Sequence, residues 1–390
     1  MKDFTKQFSK NIFKLPYISA LITVIIILIS IQSYTLGEKS FDGTRLYTHY
    51  NNYVIFKNSF THLVDNKDLY KLYPQEHWDY YKYSPTFSLF MAIFAFLPVL
   101  PGLILWNLLN ALVLLIAVWK LPVPGDKTKT FILLFLLIEL VTSVQNAQSN
   151  ALIAGLIILS FVNMQEKRLW LSSLLIVITV YIKLFGIVAL ILFIFYPGKT
   201  KAALYTLGWT ALFFLLPLTV IPFHRLVFLY KSWFNLIFAD INASYGLSVA
   251  GWLNSWFYTG IPKNAILLAG TILLLIPLLK TKYYHHTGFK MLYLSFLLIW
   301  IVIFNYKAES PTYVIAVTGV AIWFFSGKMS ATNTALALSV LIFTILSPTD
   351  IFPRYVKHNF IIPYVLKAVP CIFVWFKIFY ELLLYGNKTR

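Results

Sequence analysis

The sequence predicts an all-α, polytopic membrane protein: a bundle of about eleven to thirteen membrane-spanning helices with one folded cap supplied by the first long loop. Three observations carry this expectation. Of 390 residues, 59% are hydrophobic and only 12% are charged, with a mean hydropathy of +0.75, whereas water-soluble domains carry about 25% charged residues. The apolar runs are long, and residues 15–34 contain no charge at all, matching the roughly 20 residues that cross a bilayer as a helix. Their Leu, Ile and Phe interleave without the period-two alternation of a transmembrane barrel.

The elements follow in order. The first apolar run comes after Lys2, Lys6, Lys10 and Lys14; it is too long for a signal peptide and lacks a small-residue cleavage site, so it reads as a retained helix. Residues 37–85 form the only long polar segment and hold six of the fourteen acids, Glu38, Asp42, Asp65, Asp68, Glu76 and Asp79, among many Tyr, Asn and His. A disordered spacer would lack those aromatics. Residues 37–84 are therefore expected to fold as a cap on a single membrane domain spanning residues 1–390. Pro98 and Pro101 interrupt the next run, which predicts a short half-helix followed by a full one, or one broken helix. Residues 169–196 are mostly apolar with Lys183 at the centre, and read as two short helices meeting near that lysine or as one tilted helix. Further spans are expected at 202–221, 265–279, 289–304, 313–325, 334–346 and 361–384. Residues 226–238 mix apolar side chains with Lys231, Trp233 and Asn235, as an interfacial helix would.

A formal charge of +18 is a feature of nucleic-acid binders, but here the basic residues are scattered singly over short loops, which is how topology is marked. With the N-terminus placed inside, residues 120–129, 165–168, 199–201, 280–290, Lys328 and the tail 387–390 fall on the same side. Together with the N-terminus they hold 17 of the 32 basic residues and three acids, Asp3, Asp126 and Glu166. The expectation is a multi-pass protein of the bacterial cytoplasmic membrane, in contact with its lipids, with both termini cytoplasmic and the cap outside. The other outward polar segments, 142–150, the neighbourhood of Lys183, 223–263, 305–311 and 347–359, can then converge on one vestibule. The lone Cys371 gives no disulfide. No His/Cys spacing matches a zinc site, His285 and His286 being adjacent and on the inner side. There is no Walker loop or dinucleotide fingerprint. No metal site or cofactor is expected, and a need for a divalent cation stays open.

Four places hold residues suited to chemistry. A lysine at mid-bilayer costs about 2.5–3.5 kcal/mol, so Lys183 requires a partner such as Glu139, a route to the surface, or an anionic ligand such as phosphate. The run TSVQNAQSN gathers amides at a helix junction, fit either for sugar hydroxyls or for capping. Residues 76–83 place Glu76, His77, Asp79 and Lys82 among aromatic rings, a mixture shared by sugar sites and interfacial belts. Lys307 and Glu309 stand at a helix start as an ion pair, or with Glu309 at the N-terminus, where negative charge is favoured.

Several phrases stand in a telling order: KDLY at 67–70, KYSP at 82–85, LWNLLN at 105–110, then QNAQSNALIAGLI and VYIKLFGIVAL. This order resembles glycosyltransferase family 87 of the GT-C superfamily, which implies a GT-C-like bundle and a polyprenyl-phosphate-mannose-dependent mannosyltransferase activity. Gln148 and Asn150 match the family's G-Q-x-N phrase, with Ala147 in place of glycine. Lys183 matches its K-x-x-P phrase, with Gly186 where proline is usual, and Tyr83, Ser84 and Pro85 stand for a Y-P-P helix start. Where the family has Asp-x-x-x-Tyr, this chain has His49 and Tyr53, so the catalytic base is His49, Asp42, Glu76 or Asp79. With these matched positions, the expected substrate contacts are Asn52, Tyr53, Lys82, Tyr83, Gln148, Asn150, Lys183, Lys307, Glu309 and Arg354, the phosphate being held by cations among Lys183, Lys82, Lys307 and Arg354. A mannose-like hexose would pass with inversion from a polyprenyl-phosphate donor to a lipid or glycan acceptor. The alternatives are a flippase of lipid-linked sugars, which the single cap without a counterpart in the second half disfavours, and a lapsed family member acting as a scaffold.

Overall fold

Lipid offers no water to backbone N–H and C=O groups, so apolar runs satisfy them internally as helices. In the computed structural model, which describes residues 14–41, 45–240, 244–258 and 260–386, nearly every expected span does so. The chain forms α1 (Leu15–Thr35), a hairpin of β1 (Glu38–Phe41) and β2 (Arg45–Thr48), and α2 (Asn51–Val64). After an irregular stretch come α3 (Pro85–Phe90), α4 (Ala92–Ala95), α5 (Val99–Lys120), α6 (Gly125–Gln145), α7 (Asn150–Gln165) and α8 (Leu169–Ile182). A 3₁₀ helix, Leu184–Phe195, precedes α9 (Lys199–Leu215), α10 (Phe223–Asp240), α11 (Val249–Phe257), α12 (Lys263–Leu275), α13 (Thr287–Ile303) and α14 (Tyr313–Ser326). The chain closes with α15 (Ala331–Ser339), which continues as π-helix, and α16 (Val369–Leu383). The protein is an all-α polytopic membrane protein. Among the described residues four helices, α1, α5, α6 and Lys199–Thr219, are long and apolar enough to cross a membrane, and seven shorter apolar segments accompany them.

Proline positions set the boundaries. Pro98 ends the half-helix pair α3 and α4, and Pro85 opens α3 where its missing N–H costs nothing. Lys183 separates α8 from the 3₁₀ helix in extended backbone. The span expected at 361–384 is shorter than the sequence suggested, because only Val369–Leu383 is helical in the α sense. Pro363 and Pro370 lack amide donors, Val365 takes a positive φ, and the turns free the carbonyl of Lys367 to accept the Thr344 hydroxyl at 2.8 Å. The two-stranded hairpin, with Glu38 opposite Thr48, is an element the sequence reading did not foresee.

α7 is the axis of the bundle, buried on nearly all sides. A Cβ on Gly155 would lie 2.8 Å from the backbone of α5, so small size here is what lets the two helices touch. Ser160 and Ser172 exchange hydrogen bonds with each other's carbonyls at 2.9 Å and 3.1 Å, joining α7 to α8. By contrast α9 exposes Leu204 and Leu207 at 64% and 66%, a face whose natural solvent is lipid.

The cap is folded onto one end of this bundle. Phe56 of α2 meets Tyr83, Phe87 and Trp106 edge-on, with centroids 4.7, 5.3 and 5.5 Å apart. Polar ties complete the seam: the Ser84 hydroxyl donates to Tyr181 O at 2.6 Å, Asn52 Nδ2 to Asn146 O at 2.8 Å, and Arg225 to Asn66 O at 2.6 Å.

Candidate active site

The cap and the helix ends beneath it enclose a cavity of about 640 Å³. Its polar end is made by residues from five separate stretches. The β2–α2 junction brings His49 and Asn52, and the end of the cap brings Asp79, Lys82 and Tyr83. The α6–α7 junction brings Gln148, the break after α8 brings Lys183, and the turn before α14 brings Lys307 and Glu309.

Each is positioned by a local cause. α6 ends in a Schellman turn: Gln148 N–H reaches Ser143 O at 3.1 Å and Ala147 N–H reaches Val144 O at 2.8 Å, with Ala147 at φ +47°. That turn aims the Gln148 side chain across to Lys183. Lys183 Nζ donates to Gln148 Oε1 at 3.1 Å and Asn150 Oδ1 at 2.8 Å, and lies 5.7 Å from the Tyr83 ring centroid and 5.9 Å from that of Phe185. Its partners are neutral amides and ring faces, and no salt bridge to it is present among the described residues. Glu139 has another partner: its carboxylate holds Lys367 at 2.5 Å in the bundle core. Gly186 leaves no room for the proline the family phrase carries, since a Cβ there would come within 2.2 Å of Thr179 Oγ1, and its N–H donates to Lys183 O at 3.0 Å.

Asn150 reaches the turn before α14, its Nδ2 donating to Pro311 O at 3.0 Å. There Glu309 and Thr312 form a capping box, each side chain accepting from the other's N–H. Glu309 is thus a helix N-cap that also faces the cavity. Lys82 pairs with Asp79 at 3.2 Å, and the other Asp79 oxygen accepts the Tyr80 N–H at 2.7 Å. The His49 ring stands edge-on to Tyr47 at 5.8 Å and has no hydrogen-bond partner among the described residues.

The other expected site residues fall elsewhere. Glu76 is turned into the cap, where it binds His62 at 3.0 Å and Asn58 Nδ2 at 3.0 Å. Tyr53 is fully buried and does not line the cavity; its hydroxyl abuts Gly102, where an added Cβ would lie 1.9 Å away. Arg354 opens the short turn Arg354–Val356 and is not part of the lining. Asp42 lies outside the described residues. In the cap, burial pulls the imidazoles of His62 and His77 below their ordinary value, with Glu76 opposing the shift at both.

One half of the cavity had no signal in the sequence. Phe185 and Val188 of the 3₁₀ helix, Leu236 and Ile237 of α10, Leu267 of α12 and Trp300 of α13 form an apolar wall opposite the cap. In a membrane protein a residue facing lipid and one facing a greasy ligand are chosen by the same apolarity, so periodicity does not separate them. The Trp233 indole, on the helix expected at the interface, donates to Lys82 O at 3.1 Å and so links α10 to the cap.

A cation held by neutral amides, hydroxyl-binding groups above it and an apolar wall beside it make a membrane-embedded site suited to an amphiphile with an anionic head. The description of glycosyltransferase family 87 matches residues 81–348, well over half of the chain. The chain belongs to that family and is a membrane glycosyltransferase. No curated protein matches it.

Proposed function

We propose that this protein transfers a mannose-like hexose from a polyprenyl-phosphate donor to a lipid or glycan acceptor at the outer face of a bacterial cytoplasmic membrane. The observation that carries the reading is Lys183, a cation with no ion-pair partner among the described residues, lining a cavity with polar and apolar halves. The prenyl chain would lie along Phe185, Val188, Leu236 and Leu267, and the phosphate would bind Lys183, with Lys82 and Lys307 on the same wall. The hexose would sit under the cap among Asn52, Gln148 and Tyr83.

Breaking the anomeric bond leaves a phosphate that is already a stable anion, so a fixed cation stabilises it and no general acid is needed. The acceptor hydroxyl needs a base. Of the candidates that line the cavity, Asp79 has its carboxylate engaged by Lys82 and Tyr80, whereas the His49 ring nitrogens are unengaged among the described residues. We assign the base to His49, which takes the proton as the oxygen attacks the anomeric carbon from the face opposite the phosphate, giving inversion.

The test is transfer of label from a polyprenyl-phosphate hexose into a lipid extract by the purified protein. His49→Ala should slow transfer by about 10²–10⁴-fold, with part of the rate returned by added imidazole. A wild-type protein that moves no label would overturn the reading. A fully active His49→Ala with Asp79→Asn inactive would move the base to Asp79.

A further inference from the structure

The end of the bundle away from the cap holds a second cavity, of about 420 Å³. It is built by the far ends of elements that also build the first. α7 carries Asn150 at one end and Gln165 at the other, the 3₁₀ helix runs from beside Lys183 to Phe195, and α13 runs from Lys290 towards Phe304. At 1.5 Å per residue α7 alone separates the two sites by roughly 22 Å.

The chemistry of this second cavity is one-sided. Lys290 is 7% exposed; its Nζ donates to Gln165 Oε1 at 3.2 Å and lies 4.5 Å from the Tyr196 ring centroid. Among the described residues it has no carboxylate partner, and Glu166, beside Gln165 in sequence, is paired with Arg168 at 3.2 Å. The bond from Lys290 fixes which end of the Gln165 amide is oxygen, and the Nε2 donor is then buried without a partner among the described residues. The Tyr196 hydroxyl, in a residue 7% exposed, is likewise buried with no partner among the described residues. Lys167 and His285 stand exposed on the lining. Among the described residues, a buried cation, two unsatisfied donors and no anionic partner make a site that an acceptor-rich anion completes, because orphaned buried donors and unpaired buried charge are both costly.

We propose that this cavity binds a phosphate group, held by Lys290, the Tyr196 hydroxyl and the Gln165 amide, with Lys167 at the rim. The phosphate is either the diester head of an anionic membrane lipid or a soluble phosphate, since both present the same oxygens. The site is separate from the transfer cavity, and its occupancy does not depend on which sugar is moved.

The experiment uses the full-length protein in phosphatidylcholine nanodiscs. One arm measures equilibrium binding of labelled inorganic phosphate; the other adds phosphatidylglycerol and counts retained lipids by native mass spectrometry. The expected result is one saturable ligand per chain, weakened about tenfold or more by Lys290→Met, as loss of a charge-assisted hydrogen bond implies, and severalfold by Tyr196→Phe. Retention of phosphatidylglycerol without phosphate binding assigns a lipid head, and saturable phosphate binding assigns a soluble anion. Wild-type protein that binds neither overturns the proposal. Should Lys290→Met not fold, Tyr196→Phe, which removes only the unpartnered hydroxyl, decides it: unchanged binding overturns the site.

Discussion

Ala147 shows how much one backbone angle can explain. The family phrase has glycine where this chain has alanine, and the structure puts that residue at φ +47°, at the left-handed position of the turn that ends α6. An L-residue there is strained by about 1–2 kcal/mol, partly offset because glycine loses more entropy on folding. Ala147→Gly is therefore expected to raise stability by about 0.5–1 kcal/mol without moving Gln148, read as a higher melting midpoint in detergent; a lower midpoint would contradict the strain argument. Lys183 was legible from the sequence because a lone cation in an apolar run needs a reason, and Gln148 and Asn150 because amides at a helix junction do too. Tyr53 was not. The spacing from His49 suggested a shared site, but α2 begins at Asn51, so helical periodicity does not relate the two, and the ring is turned towards Gly102 instead.

The cap was legible as a folded element from its aromatics, and its internal wiring adds a pH dependence. His62 and His77 are both buried, and both have imidazoles held below the ordinary value of 6.5, chiefly by burial. A depressed imidazole means the folded cap prefers the neutral ring. That contribution to stability is complete above about pH 6.5 and is lost progressively as pH falls from there towards the folded-state values. Melting midpoints should thus fall between pH 7.5 and 5.5, and the fall should shrink when His77 is replaced by Gln; a midpoint flat over this range would contradict it. Elsewhere the proline signals at Pro98 and the break at Lys183 set element boundaries correctly. The hairpin was missed although Asp42 and Gly43 lie between β1 and β2, a pairing that favours tight hairpin turns, because its strands are four residues each and mostly polar. The shortening of the last span to Val369–Leu383 was signalled by Pro363 and Pro370, but the apolar run around them reads as one continuous span.

For the molecule as a whole, apolarity fixed the class of fold but not the arrangement of its interior. α7, the 3₁₀ helix and α13 each end in a polar cluster at both surfaces, and those clusters, rather than the apolar stretches between them, are what the sequence could reveal. Glu139 and Lys367, 228 positions apart, form a buried ion pair that no local pattern announces. The apolar wall of the first cavity was equally hidden, and under the proposed function it is what would take the prenyl chain of a lipid-linked donor. The most direct measurement is photo-crosslinking with a polyprenyl-phosphate hexose carrying a diazirine on its first isoprene unit, followed by peptide mapping. The account predicts adducts on the segment 184–195 and on α10 near Leu236, greatly reduced in Lys183→Met protein that remains folded. Adducts confined to the outer surface of the bundle, or unchanged in that variant, would contradict it.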